Sequence, residues 1–253
     1  MALNNMKTAT ITFHAPNNNG SFLQAYALQK YITTHFDNVE NEIIDFQPES
    51  QQQQYAIFRK IHSKKDILRN LISFWHYKAL SKRFLAFSEM REKYLKMTKR
   101  CTTTEEAIKI AGNYDLVIAG SDQIWNTTAR DFSEAFFLQG ISKKSTYAVS
   151  CGSHLNEVDC DRICSAMETF ENVSVREIDT REFLEKHTKR SIETVLDPAF
   201  LLTKEDYSGL YDKERILKEK YIFLYTINYD EDALKQTVRV AERLGGGKIV
   251  TPF

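Results

Sequence analysis

The sequence predicts a doubly wound α/β protein, and three observations carry that prediction. Short β-branched runs alternate with helical stretches along most of the chain, the rhythm of parallel-sheet units. Glycine and proline are scarce, 9 and 4 in 253 residues, which argues against a turn-rich all-β fold. Hydrophobic residues at 42% and charged residues at 27% suit a packed core rather than a disordered chain.

The elements follow in order. Thr8 to Phe13 (TATITF) is β-branched and short, a buried strand. Polar and turn residues from His14 to Gly20 break it, and Ser21 to Phe36 reads as a helix whose apolar face holds Phe22, Leu23, Tyr26, Ala27 and Leu28. Glu42 to Phe46 (EIIDF) is a second strand, stopped before Pro48. Gln51 to Arg100 departs from the pattern, with four glutamines and then many Lys, Arg and aromatic residues at helical spacing. It predicts two or three inserted helices. Their basic character reads first as a solvated helix face, with an acidic glycan or peripheral contact with a membrane surface as the alternative.

The α/β rhythm resumes with a helix over Glu105 to Ala111 and a buried strand over Asp115 to Ala119 (DLVIA). Ser145 to Ser150, Asn172 to Val175 and Glu193 to Leu196 are further strands. They are separated by helices over about Asn156 to Phe170 and Asp179 to His187. Thr203 to Lys220 is charged and expected to be helical. Tyr221 to Ile227, Glu231 to Leu244 and Lys248 to Thr251 then form a new strand-helix-strand unit, its helix ended by Gly245, Gly246 and Gly247 as a left-handed cap requires. Such a unit alone falls below the roughly 40 residues at which domains usually need outside help, so the remainder of a second domain is expected to be missing. The expected organisation is an N-terminal domain over 1–202 with a helical insertion at 49–104, a linker helix at 203–219, and a partial second domain at 220–253.

Lys plus Arg equals Asp plus Glu, 34 of each, so no global field draws the chain to nucleic acid. Met1 to Met6 lacks a basic start and an apolar run, and no stretch approaches the roughly 20 apolar residues of a membrane span. Cys101, Cys151, Cys160 and Cys164 are read as reduced thiols of a cytoplasmic protein. Cys160 and Cys164 lie one helical turn apart without a second ligand pair at metal-site spacing, so no metal is expected. Cys151 and His154 are close in sequence, but a nucleophile and its base usually come from separate segments.

Three strand-to-helix junctions carry candidate chemistry. In Asn17-Asn18-Asn19-Gly20-Ser21, Gly20 permits a tight turn and Ser21 or Asn19 can cap the helix. Free N–H groups there suit a phosphate or carboxylate; an ordinary strand-to-helix turn is the plain reading. Gly120 to Asn126 (GSDQIWN) follows the DLVIA strand, where open parallel sheets place their ligands. Asp122 is a candidate general base toward a sugar hydroxyl and Trp125 a platform for a sugar ring. The plain reading makes Asp122 a helix cap and Trp125 core; the density of polar and aromatic residues at a strand end favours function. Arg176, in Ser174-Val175-Arg176-Glu177, suits bidentate capture of an anion, and a local ion pair with Glu177 or Asp179 is the plain reading.

Taken together, these blocks resemble the polysaccharide pyruvyl transferase family. The resemblance rests on His14, the Asn17 to Gly20 turn and the Leu23-Gln24-Ala25-Tyr26-Ala27-Leu28-Gln29 helix. It continues through Tyr114-Asp115, Gly120 to Asn126, and Tyr147-Ala148-Val149-Ser150-Cys151-Gly152. It ends with Ser174 to Glu177, Leu196-Asp197-Pro198 and Leu201-Leu202. It implies two Rossmann-like domains, the second incomplete here. The implied donor is phosphoenolpyruvate, with no other cofactor. The implied acceptor is a sugar of a cell-surface polysaccharide or its lipid-linked oligosaccharide precursor, and the product a pyruvate ketal. On this reading Asn19, Gly20, Ser21 and Arg176 bind the donor. His14, Gln123, Trp125 and Asn126 meet the acceptor, and Asp122 is catalytic. The family's second domain carries an Asn-Ser-Phe-His-Gly segment whose His is expected to supply the acid; this chain has none. A nucleotide-sugar glycosyltransferase of similar architecture and a non-catalytic glycan-binding remnant are the competing readings.

Overall fold

The computed structural model describes residues 5–152, 157–211, 217–226 and 230–251. It is a mixed α/β structure of two compact units, Met1–Thr203 and Lys204–Phe253. Among the described residues there are eight α-helices and eight strands.

In the first unit, β1 (Met6–Ile11), β2 (Val39–Ile43), β3 (Leu116–Ala119) and β4 (Lys144–Thr146) form one parallel sheet in the order β2-β1-β3-β4. Strands buried on both faces of a parallel sheet cannot alternate apolar with charged residues. Accordingly Ala9, Ile11, Val117 and Ala119 are fully buried, and the buried polar residues of β1 are the threonines Thr8 and Thr10. Those threonines are satisfied internally: Asn41 Nδ2 donates to Thr8 Oγ1 at 2.9 Å and to Thr10 Oγ1 at 3.2 Å.

The ladder continues through single contacts beyond β4. Val149 bridges Asp122 on one side and Val175 on the other. Thus β5 (Ser174–Val175), paired in parallel with β6 (Glu193–Thr194), joins the tips of β3 and β4. The predicted strand over Ser145 to Ser150 is cut short because Ala148 adopts φ 51°, and its N–H turns to Ser174 Oγ at 3.2 Å. The strand expected at Glu42 to Phe46 starts earlier, after a left-handed turn at Asn38, and Phe46 keeps only a bridge to Cys101.

Helix α1 (Asn19–His35) follows β1. Gln29 pins it to the sheet and to the end of the insertion, donating to Asn41 O and Lys96 O while accepting from Lys96 N. The insertion is three helices, α2 (Glu49–Tyr55), α3 (Lys64–Trp75) and α4 (Tyr77–Tyr94). Then α5 (Thr104–Ala111) begins with a capping box between Thr103 and Glu106. Next come α6 (Glu157–Met167), between β4 and β5, and α7 (Ile178–Leu184), between β5 and β6. The core is filled by Phe136, Phe137, Phe170, Ile163 and Trp125 among others.

The helix expected across Thr203 to Lys220 is corrected: the described residues there are turns and bends. Gly209 and the Ser208 side chain, which donates to Glu205 O at 2.7 Å, favour local turns over a continuing helix. The second unit pairs β7 (Tyr221–Phe223) in parallel with β8 (Lys248–Val250), with α8 (Glu231–Arg243) between them. Gly245 takes φ 86° and Gly246 N–H reaches back to Ala241 O at 2.9 Å, the left-handed cap that the glycines predict. Phe223, Tyr225, Leu234 and Leu244 of this unit are exposed.

Candidate functional site

The order β2-β1-β3 reverses the direction of strand addition between β1 and β3, and ligands of open parallel sheets sit outside the carboxyl ends of strands at such a reversal. Four junctions leave the sheet at this edge: after β1, β3, β4 and β5. Backbone hydrogen bonds lace the last three together, Ser150 N–H to Asp122 O at 2.9 Å and Arg176 N–H to Val149 O at 3.0 Å. The first is tied in by Thr12, whose Oγ1 donates to Ser121 O at 2.7 Å. Gln24 locks the start of α1 over it, with Nε2 donating to Thr12 Oγ1, Phe13 O and Ser21 O.

Asp122 stands at the centre. It takes φ 78°, which aspartate tolerates better than most residues, and it follows Gly120, whose φ of 125° only glycine accepts readily. A Cβ at Gly120 would lie 2.1 Å from Tyr147 O, so the site needs glycine for space as well as for conformation. Asp122 Oδ2 accepts from Ser21 Oγ at 3.1 Å and Oδ1 from Gln123 N at 2.8 Å. Burial raises its carboxyl above the ordinary value; those two bonds and the Arg176 charge oppose the rise and Asp197 adds to it. Asp122 and Arg176 therefore share one electrostatic neighbourhood.

Arg176 donates through Nε to Glu177 Oε1 and through Nη1 to Asp197 Oδ2, each at 2.9 Å. Neither bond uses Nη2. Burial works against its charge, but the two carboxylates and Asp122 outweigh it, so the guanidinium is held charged. Asp197 also caps the turn after it, accepting from Ala199 N at 2.9 Å.

Three sequence readings at this edge are corrected. The cap of α1 is Asn18, not Asn19 or Ser21, and its Oδ1 accepts from Gly20 N at 2.7 Å. The N–H of Gly20 is thereby occupied by its own chain rather than offered to an anion. Asn19 is exposed in the first turn, and Ser21 is buried against Asp122. Trp125 has no exposed surface; it packs edge-on against Phe170 at 5.6 Å and beside Phe137, so it is core and not a sugar platform. The Ile124-Trp125 pair needs apolar cover, and the ring turned inward satisfies it. His14 is likewise fully buried, with Nε2 2.9 Å from Asp45 Oδ1 and Nδ1 3.2 Å from Thr12 O. Both ring nitrogens face acceptors inside the protein, so His14 fixes the β1 exit rather than meeting an acceptor. Gln123 is exposed and Asn126 half-buried. Asn126 shapes the turn, accepting from Thr128 N and Oγ1 and donating to Gln123 Oε1.

A cavity of about 510 Å³ opens along Gln123, Ser150, Gly152, Glu177 and Thr180. A second, of about 490 Å³, lies under the insertion and is lined by Asn17, Gln51, Tyr55, Arg91 and Arg100. The insertion thus reaches this edge, which the sequence reading missed. Asp131 is raised by burial and by the charge of Asp122, while the polar side chains of Gln51 and Tyr55 on α2 oppose the rise. The Tyr55 hydroxyl is pushed up to about 12 by its own burial and by Asp131 and Asp122. Arg91 donates to Ala15 O and Asn17 Oδ1, tying α4 to the loop after β1. Asp45 pairs with His14 and Arg100. Burial alone would raise Asp45, but the His14 bond and charge, Gln47 and Arg100 overcome it and leave it at about 2. Asp45 lies within an EIIDF run that resembles any strand end, and Asp131 sits in a loop without pattern; neither carries a sequence signal.

All four cysteines are buried and unbridged. Burial pushes the Cys101 thiol up to about 11 and raises Cys151 further still, the opposite of an activated nucleophile. His154 lies outside the described residues. Among the described residues, no group of three or more His, Cys, Asp or Glu is arranged to hold a metal ion, and no helix is long and apolar enough to cross a membrane.

A family model described as polysaccharide pyruvyl transferase matches residues 18–249, most of the chain. No curated protein and no solved structure matches it.

Proposed function

The chain belongs to the polysaccharide pyruvyl transferase family, and from that premise we propose that it moves a pyruvyl group from phosphoenolpyruvate to a sugar of a cell-surface polysaccharide or its lipid-linked precursor. In this reaction two hydroxyl oxygens of one sugar bond to the donor's central carbon, and that carbon's bond to the phosphate oxygen breaks. One hydroxyl proton ends on the methylene carbon, which becomes methyl, and the other leaves with phosphate. The product is a ketal.

The reading rests on one observation: Ser21, Asp122 and Arg176, distant in sequence, meet where β1, β3 and β5 end. Asp122 takes the proton of an attacking hydroxyl, and burial helps by lifting its basicity toward the working range. Ser21 orients the carboxylate. Arg176 holds the donor's carboxylate or phosphate, which must compete with Glu177 and Asp197 for the guanidinium. Gln123, at the mouth of the 510 Å³ cavity, is the exposed polar group best placed to meet the acceptor.

Incubation with phosphoenolpyruvate and acceptor glycans tests the proposal, read by phosphate release and by the mass gain of a ketal. Binding of nucleotide sugars without binding of phosphoenolpyruvate would replace it with glycosyl transfer.

A further inference from the structure

Helix α3 is packed inside out. Ile67, Leu68, Leu71, Ile72, Phe74 and Trp75 fall within an arc of roughly 160° on a helix of 3.6 residues per turn. Such a stripe normally faces a core. Here all six side chains are exposed, Phe74 at 69% and Trp75 at 83%. The polar side turns inward instead. Ser73 is buried, and Asn70 exchanges two hydrogen bonds of 2.9 Å with the Arg59 backbone. Apolar exposure continues on the first half of α4, where Tyr77, Phe84 and Leu85 are also exposed. A contiguous apolar surface of this kind marks a partner.

Charge selects the partner. Lys64 and Lys65 accompany the stripe on α3, and Lys78 and Lys82 follow on α4, all four exposed. Between Ala56 and Ala86 there are eight Lys and Arg and one carboxylate, Asp66, in a chain whose 34 cations and 34 anions balance overall. A second copy would bring two such cationic faces together. Nucleic acid would answer the charge but not the apolar stripe. An anionic bilayer answers both, with acyl chains for the stripe and headgroups for the cations.

We infer that α3 and the start of α4 dock on the surface of an anionic lipid bilayer, with α3 lying parallel to it and its apolar stripe at the headgroup boundary. Trp75 and Tyr77 occupy the interfacial level that amphipathic aromatic rings favour. The inference is independent of the catalytic reading. It replaces the solvated-face reading of the insertion, because the face turned to solvent is apolar.

The chain supplies its own reporter. Of its two tryptophans, Trp125 has no exposed surface and Trp75 is largely exposed, so a change in emission on adding vesicles reports Trp75. The whole protein is titrated with vesicles of phosphatidylcholine alone and of phosphatidylcholine with phosphatidylglycerol. A blue shift and co-sedimentation are expected with the anionic vesicles, weakening as salt is raised. Lys64→Gln with Lys65→Gln should lower partitioning roughly thirtyfold. Leu71→Ser, at an exposed position that leaves the fold intact, should also weaken it while the far-ultraviolet spectrum stays unchanged. Unchanged Trp75 emission with anionic vesicles overturns the proposal, as does equal binding by both variants. A Trp75 already blue-shifted without lipid, with a dimer mass that Leu71→Ser abolishes, assigns the surface to a second copy instead.

Discussion

The strand-tip edge and the helical insertion treat apolar residues in opposite ways. At the edge, Trp125, Phe136 and Phe137 turn inward, while Gln123 is exposed and Asp122 and Arg176 are half-buried. In α3, Leu68, Phe74 and Trp75 turn outward, and Asn70 and Ser73 face the protein. Periodicity identifies α3 as amphipathic, but it does not say on which side the apolar partner lies. At the edge the partner is the rest of the fold; at α3 it is outside the chain.

That contrast orders the expected effects. Asp122→Asn should lower transfer by roughly 10²–10⁴-fold, the usual contribution of a positioned acid or base. It should not lower thermal stability at neutral pH, because burial disfavours the ionised carboxylate and the amide removes that charge. A melt that falls along with activity would make Asp122 structural and erase the difference between the two regions. Trp125→Ala should cost about 3–5 kcal/mol in denaturant unfolding, since the ring is wholly enclosed. A cost near zero would return Trp125 to the surface role that its neighbours suggest.

Acid should loosen the β1 exit next. Asp45 is held at about 2 against an ordinary 3.8, so its stabilisation is fully present above 3.8 and is lost as pH falls toward 2. The amount is about 2 kcal/mol. Comparing Asp45→Asn with the unaltered protein across that window should show their stability difference shrinking. The smallest effect belongs to the insertion: Trp75→Ser should change stability by less than about 0.5 kcal/mol, where the same change at a buried tryptophan would be severe.

Much of the sheet was legible because parallel strands write themselves as β-branched runs, as in TATITF and DLVIA. The GSDQIWN block falls at the carboxyl end of β3 for the same reason, because it directly follows the DLVIA run. What was not legible depends on contacts between distant residues. The capping role of Asn18 over Asn19 and Ser21 depends on φ and ψ at one position. The inward turn of Trp125 depends on Phe137 and Phe170, which close the space from other elements. The pairing of His14 with Asp45 joins residues 31 apart, and the approach of Tyr55 to Asp131 crosses from the insertion to a loop. The charged stretch after Thr203 misled because composition suggested a helix where Ser208 and Gly209 make turns.

The central claim is that groups from separate strand ends act together on one small acidic donor. Calorimetric titration of phosphoenolpyruvate into the protein and into Arg176→Ala tests it most directly. The account predicts at least a roughly tenfold loss of affinity in the variant, in line with a charge-assisted bond to the donor. Equal affinity in both proteins would contradict it.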